Sequence, residues 1–466
     1  MMTLLHDRLK QFWGYSEFRF PQAEIIQTIL DGHDALIVLP TGGGKSLCFQ
    51  LPAIVQPELT IVVSPLVALM ENQVQELRQK RIPAAMLHSE LPTSERREIL
   101  NAIANYRLLY LSPETLLSSS VWQRLLNVQI RSLIIDESHC LTQWGETFRP
   151  VYYRLGEVRT ALSNNRNRVS IAAFTATANP LTQEIIKRIL QLESPKCFQI
   201  SPYRANLTLK VQSVSTPRQR RQKLLEVIRS QSGSGLVYVR SRRDGEELAN
   251  WLNQQGYRTA AYHAGLKSID RRQIEQAWIN DQLKFVVASS AFGMGVNKAE
   301  TRWVVHYHAP FLMSEYVQEI GRAGRDGKAA IAVLLKSSWI DPEDYRRWKF
   351  FETQEHQQTI KAQKLIQKLP ERGNIDVVSR EYKGAAIALS LLHRSEQLIW
   401  TDPFHYEIQS RRKLPASLLT STRSMKAYLN TKDCRWKFIL RSFGFEQEAT
   451  NCGHCDRCLS RSKSSD

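Results

Sequence analysis

The 466-residue sequence predicts an α/β protein: two tandem domains with parallel sheets, then a helical segment, then a small four-cysteine module. Three observations carry this. Apolar runs without polar alternation recur between longer helix-like segments, as expected of strands buried on both faces of a parallel sheet. The pattern then starts again in the second half of the chain. Four of the seven cysteines crowd the C-terminus.

The first set of runs is ALIVLP (35–40), TIVVSP (60–65), RLLYLSP (107–113), SLIIDE (132–137) and SIAAFTATA (170–178). The second set is GLVYVRS (235–241), YRTAAYHAGL, FVVASSAFGMG (285–295) and RWVVHYH (302–308). TIVVSPLVALMENQVQELRQKRIPAAMLHSEL and the stretch from GLVYVRS to YHAGL share one order: strand, helix, breaker, Ala-Ala, an aromatic or Met, then His and Leu. We assign domains to 1–200 and 201–340, joined near SPYRANL. In 341–415, EHQQTIKAQKLIQKLP and GAAIALSLLHRSEQ (384–397) read as helices. LIWTDPFHYEI (398–408) reads as two short strands about Asp402-Pro403, so this segment is expected to be a winged helix or a plain helical spacer. Residues 416–466 form the cysteine module. Between Arg411 and Arg441 lie nine Lys or Arg and one acid, Asp433.

A net charge of +18 points to a polyanionic partner. Hydrophobic content of 42% and charged content of 23% are ordinary for a globular chain, and the length suits about two to four domains. No apolar stretch approaches the roughly 18 residues that a membrane span needs, and the N-terminus does not read as a signal peptide. The expected location is cytoplasmic, nucleoid-associated if the source is bacterial, with no membrane partner. An odd cysteine count without a leader favours a metal site over a disulfide framework.

LPTGGGKS (39–46) follows a strand and opens a helix. Backbone N–H groups of such a loop point at phosphate oxygens, aided by the helix N-terminus. Thr41, Gly42, Gly43 and Gly44 make the turn, Lys45 reaches the β- and γ-phosphates, and Ser46 holds magnesium. Leu39 stands where the general pattern has Gly. SLIIDESHC (132–140) admits three chemistries: a metal site using Asp, His and Cys, an acid/base carboxylate pair, or a strand end holding magnesium and a water. The phosphate loop favours the third. Asp136 is then the magnesium acid, and Glu137 orients or deprotonates the attacking water. CLTQWGETFRPVYYRL (140–155) follows directly. Its Trp144, Phe148, Arg149 and Tyr152 suit base stacking and phosphate contact, or else a core position for Trp144 and Phe148. Cys452, Cys455 and Cys458, with Cys434 set apart by an intervening seventeen residues, suit a tetrahedral structural zinc. His454 is read as a surface residue.

The chain resembles the RecQ family of DNA helicases within helicase superfamily 2. The resemblance rests on LKQFWGYSEFRFPQAEII, TGGGKS, SPLVALMENQV, YLSPETL, DESHC, AFTATA, AAYHAGL, VASSAFGMGVNK, QEIGRAGRDG and the terminal cysteines. It implies two RecA-like domains and ATP, Mg2+ and Zn2+ as cofactors. It also implies an ATP hydrolase that moves 3′ to 5′ on single-stranded DNA, unwinding duplex junctions in DNA repair and recombination. Tyr15 is implied to stack on adenine, with Arg19 and Gln22 contacting it. Gln318, Arg322 and Arg325 face the nucleotide, with Arg325 the likelier arginine finger; the alternative for the two arginines is DNA phosphate. His139 links the aromatic loop to Glu137. Two features depart from the family. About 106 residues separate GRAGRDG from Cys434, and the winged helix expected after the zinc is missing, so the segment 355–410 is expected to replace it. A single-strand-binding protein or other repair factor is an expected partner. The rival readings are a superfamily 2 RNA helicase and a non-hydrolysing DNA-binding scaffold.

Overall fold

In the computed structural model, residues 2–142, 149–163, 168–290, 292, 298–338, 342–415 and 422–462 are described. They form two compact units, each spanning more than one stretch of chain. The first comprises Met1–Leu39, Gly43–Ile200 and Glu352–Thr420; the second comprises Pro40–Gly42, Ser201–Phe351 and Ser421–Asp466.

The first unit is built on seven strands: β1 (Ala35–Val38), β2 (Leu59–Val63), β3 (Ala84–Leu87), β4 (Leu108–Leu111), β5 (Ile130–Ile135), β6 (Ser170–Thr175) and β7 (Lys196–Gln199). Their order is β3-β4-β2-β5-β6-β1-β7, with every pairing parallel. β1, β2, β4, β5 and β6 are buried along almost their whole length, which is why they lack polar alternation. Asp34 anchors the start of β1. Its carboxylate, fully buried, accepts from the backbone N–H of Ile171 (2.9 Å) and Glu193 (2.7 Å) and pairs with Arg159 (2.5 Å).

The second unit holds β8 (Leu207–Val214), β9 (Ser234–Tyr238), β10 (Thr259–Tyr262), β11 (Phe285–Ala288), β12 (Thr301–His306) and β13 (Ala330–Ser337). The order is β10-β11-β9-β12-β13-β8, again all parallel. Both sheets are the RecA-like type, and their orders correspond strand for strand from β3/β10 to β1/β8.

The segment after β13 divides between the units. The long helix Glu343–Ile366 begins in the second and continues into the first. It leads to β14 (Arg372–Asn374), the helices Ile375–Glu381 and Ala385–Arg394, then β15 (Leu398–Trp400) and β16 (His405–Ile408). The three strands form an antiparallel sheet ordered β14-β16-β15, over an apolar cluster of their own that includes Ile366, Leu389, Leu392, Trp400 and Tyr406. This small body docks on the first sheet's unit: Ser390 Oγ donates to Pro150 O (3.1 Å), and the Trp122 and Phe404 rings meet edge to face. β15 and β16 are the two expected strands. β14, only three residues long, has no sequence signal. Among the described residues, no helix is long and apolar enough to cross a membrane.

Candidate active site

In the first unit, β1 runs into the glycine loop and the helix Lys45–Val55 follows. Gly42 and Gly44 have φ of +87° and +78°, the left-handed region that glycine occupies without a Cβ penalty. Gly44 is the N-cap, and no side chain caps it, so the first N–H groups of the helix are left for a ligand. A Cβ on Gly44 would collide with the amide of Gln22. Gln22 is itself buried. Its Nε2 donates to Gly43 O (3.3 Å), and its Oε1 accepts from the backbone N–H of Arg19 (3.0 Å). The structure thus joins the Arg19–Gln22 motif to the glycine loop, whereas Tyr15 is 52% exposed.

β5 delivers the two acids. Asp136 N–H donates to Val63 O (2.9 Å), which extends the β2–β5 ladder to the acid itself. Glu137 then turns sharply, at φ 48°. One Glu137 oxygen lies 3.5 Å from Lys45 Nζ and the other 3.1 Å from His139 Nδ1. The same His139 nitrogen lies 3.0 Å from Thr175 Oγ1, at the end of β6. Burial, and then the Glu137 charge beside it, push the Asp136 carboxyl up to about 6. Two buried carboxylates side by side call for a cation, which fits a divalent metal. Ser46, the proposed second oxygen, accepts a hydrogen bond from Gln73 Nε2 (3.1 Å). Neither Gln73 nor Thr175 was assigned a role from sequence, although both lie inside quoted motifs. Cys140 is buried, and burial pushes its thiol up to about 12, so it does not act as a thiolate ligand.

Arg149 donates to Glu114 (3.0 Å) and to Pro65 O (2.6 Å), tying the end of the aromatic segment to the ends of β4 and β2. Tyr152 is fully buried and belongs to the core. Trp144 and Phe148 lie outside the described residues.

In the second unit, the helix Met313–Ile320 carries half-buried Gln318, and Arg322 and Arg325 follow it. Arg322 is buried. Arg325 Nε donates to Gly321 O (3.3 Å), and Arg204 Nη1 donates to Ala323 O (3.0 Å). Burial, then the neighbouring Arg322 and Arg204 charges, lower the Arg325 guanidinium to about 9. A cluster of positive groups so strained suits an anion. Arg204, within SPYRANL, is a member that the sequence reading missed. Its only signal was an Arg beside a domain joint.

The four-cysteine module also belongs to the second unit. The sulfurs of Cys434, Cys452, Cys455 and Cys458 all lie within 4.8 Å of one another, and the Cys434–Cys455 separation is 3.8 Å. A tetrahedral ion with Zn–S near 2.3 Å requires sulfur separations of about 3.8 Å, so the residues fit zinc. Backbone N–H groups of Cys452 and Arg435 point at the sulfurs of Cys434 (3.3 Å) and Cys455 (3.4 Å), stabilising thiolates. His454 is not the surface residue expected. It is half-buried, with its ring nitrogens at Cys452 O (2.8 Å) and Leu207 O (3.3 Å), because it packs the module onto β8.

Family models match most of the chain: DEAD/DEAH box helicase over residues 19–186, Helicase conserved C-terminal domain over 219–327, and RecQ zinc-binding over 394–459. The ATP-dependent DNA helicase RecQ of Synechocystis sp. is 45% identical over 468 residues, which cover 98% of each chain. The probable ATP-dependent DNA helicase RecS of Bacillus subtilis is 40% identical over 72% of this chain and 67% of its own. Among solved structures, the helicase MrfA bound to DNA aligns with a TM-score of 0.61 at 19% identity, over 90% of this chain and 64% of that one, a likeness of fold.

Proposed function

Because the chain belongs to the RecQ family of ATP-dependent DNA helicases, we propose that it couples ATP hydrolysis to 3′ to 5′ movement along single-stranded DNA and unwinds duplex junctions in repair and recombination. The observation that carries this reading is the run Lys45, Glu137, His139 and Thr175, linked at 3.5, 3.1 and 3.0 Å behind an uncapped helix N-terminus.

The glycine loop and the first turn of the helix Lys45–Val55 take the ATP phosphates, and Lys45 offsets their charge. Magnesium, when bound, neutralises phosphate oxygens; Ser46 and Asp136 would hold it. Glu137 orients the attacking water and accepts its proton, while His139 fixes the carboxylate and Thr175 fixes His139. Arg322 and Arg325, with Gln318 beside them, supply positive charge to the transferred phosphoryl group. Tyr15, Arg19 and Gln22 recognise the base. Trp144, Phe148 and Arg149 meet DNA, and His139 makes their engagement felt at Glu137. Zinc, held by Cys434, Cys452, Cys455 and Cys458, contributes folding free energy to the terminal module. The strand and helix order from β14 to β16 supports a winged helix, positioned before the zinc rather than after it. A cytoplasmic location, nucleoid-associated in a bacterium, and a single-strand-binding protein as partner accompany this reading.

Phosphate release with single-stranded DNA, with RNA and with neither tests it, together with strand separation on 3′- and 5′-tailed duplexes. DNA should stimulate hydrolysis more than RNA, and the 3′-tailed substrate should be unwound. Lys45→Ala should abolish hydrolysis and leave DNA affinity largely intact, since Lys45 faces phosphate rather than DNA. Near-normal turnover in that variant would refute the phosphate-loop reading, and stronger stimulation by RNA would favour the RNA helicase.

A further inference from the structure

A column of stacked and tilted rings crosses the second unit. Tyr238, on β9, stacks on His306, at the end of β12, with centroids 5.5 Å apart. His306 meets Tyr316, on the helix Met313–Ile320, at 4.9 Å. Tyr316 meets Tyr428 at 5.0 Å, and the Tyr428 hydroxyl donates to the Tyr316 hydroxyl at 3.0 Å. All four side chains are fully buried. The two ends of the column are unlike.

At one end stands the cysteine module. Tyr428 lies on the helix Arg423–Asn430, and its carbonyl accepts from Arg435 Nη1 (2.6 Å). The Arg435 guanidinium also covers the Tyr428 ring (5.2 Å) and pairs with Asp456 (2.9 Å). Arg435 follows Cys434 and Asp456 follows Cys455, so Tyr428 is held by the residues adjoining two of the four cysteines. At the other end, the Tyr238 phenol interacts with Arg322. Between them, the helix Met313–Ile320 is gripped a second time: Glu319 Oε2 lies 2.8 Å from His306 Nε2 and accepts from Arg240 Nη2 (2.6 Å). Arg322 is three residues beyond Glu319.

We propose that Tyr238, His306, Tyr316 and Tyr428 are positioning residues through which the four-cysteine module sets Arg322 for phosphoryl transfer. This rests on the assignment of Arg322 to the transferred phosphate. The physical ground is close packing. Buried rings with fixed neighbours have few alternative placements, so a displacement at Tyr428 passes to Tyr316, to its helix and to the arginine rather than dissipating. A guanidinium displaced by even an ångström loses transition-state stabilisation without losing ground-state binding.

The test uses the full chain. Tyr428→Leu interrupts the column, and Tyr428→Phe removes only the hydroxyl donated to Tyr316. Zinc content, KM and kcat for ATP, and affinities for ADP and for ADP with aluminium fluoride are measured in both, beside Arg322→Ala. With one zinc per chain retained, Tyr428→Leu is expected to lower kcat and affinity for the fluoride complex by roughly 10- to 100-fold, leaving KM and ADP affinity nearly unchanged. Tyr428→Phe should shift the same two quantities in the same direction by a smaller factor. In Tyr428→Leu/Arg322→Ala, the loss should not exceed that of Arg322→Ala alone. Zinc-loaded variants with wild-type kcat and fluoride-complex affinity overturn the proposal. So does activity lost only together with zinc, which would make the column ordinary core; where the Leu variant does not fold, the Phe variant decides by the same criteria. Wild-type turnover in Arg322→Ala overturns instead the arginine assignment on which the proposal stands.

Discussion

Glu137→Gln changes one atom at the centre of the site, and the structure indicates how much should follow. The carboxylate is buried, with one oxygen 3.5 Å from Lys45 Nζ and the other 3.1 Å from His139 Nδ1. An amide of the same shape keeps the hydrogen bond to the imidazole in one of its two orientations. It sacrifices the charge toward Lys45 and all capacity to take a proton from water. Ground-state binding should survive, because the glycine loop, Lys45 and Ser46 are untouched. General base assistance is worth about 10²- to 10⁴-fold, so the barrier should rise by about 3–5 kcal/mol.

Folding stability should move little. The lost Lys45 pair is offset by relief of Asp136, whose carboxyl is pushed up to about 6 first by burial and next by the Glu137 charge. Phosphate release at saturating ATP and single-stranded DNA gives kcat, and a fluorescent nucleotide gives affinity. A kcat within tenfold of wild type, or a loss confined to nucleotide affinity, would refute the assignment of Glu137 to the attacking water.

Other outcomes follow from the same geometry. Asp136 has a folded-state pKa of about 6 against an ordinary 3.8, so the folded chain binds this proton more tightly than the unfolded one. In magnesium-free buffer its contribution is fully present below about pH 4 and is lost as pH rises through about 6. Thermal melting across that window should show a slope that Asp136→Asn removes. Cys455→Ser should lose zinc and melting temperature together, since structural zinc is worth on the order of 10 kcal/mol apparent in small zinc peptides. Full zinc with unchanged melting would remove Cys455 from the ligand set. Trp144→Ala should bind DNA and hydrolyse ATP at the DNA-free rate but lose DNA stimulation and unwinding, forfeiting roughly 1–3 kcal/mol of base stacking. ATPase rates with and without single-stranded DNA decide this, and full stimulation in the variant would make Trp144 a core residue.

The parts legible in the sequence are those where one segment carries the whole signal. Interior strands buried on both faces announced themselves as apolar runs, and the repeat of Ala-Ala, His and Leu after a strand and helix marked β3 and β10, corresponding edges of the two sheets. Edge strands were harder. β7 is largely exposed and β8 alternates polar with apolar residues, because each pairs on one side only. Partnerships across long stretches of chain left no trace: Gln73 reaches Ser46 over 27 residues and Thr175 reaches His139 over 36. A hydrogen bond between polar residues of ordinary type has no spacing rule. The zinc ligands do, whereas His454, among them, looked exposed because nothing local announces its packing onto β8.

The correspondence of the two sheets raises the question of why one takes phosphate and the other has no second glycine loop. β1 and β8 occupy the same place, and each runs into a helix. After β1, the cap is a glycine without a side-chain hydrogen bond, so the first N–H groups of the helix Lys45–Val55 await a ligand. After β8, Thr216 caps the helix Pro217–Ser230: its hydroxyl accepts from Gln219 N–H at 3.1 Å, and Pro217 has no N–H to offer. The orphan donors that make a helix end attractive to phosphate are here satisfied internally. A charge that might have faced a ligand is also turned inward. Arg220 is fully buried, donating to Tyr307 O and to Ser337 Oγ (2.5 Å), where it closes the ends of β12 and β13. The second copy of the fold has thus lost the means to bind phosphate by backbone. What it offers an anion comes from side chains after the helix Met313–Ile320, Arg322 and Arg325. Backbone N–H groups are fixed by the loop that bears them, whereas guanidinium groups take their places from whatever packs behind, and behind these lies the ring column that ends at the cysteines.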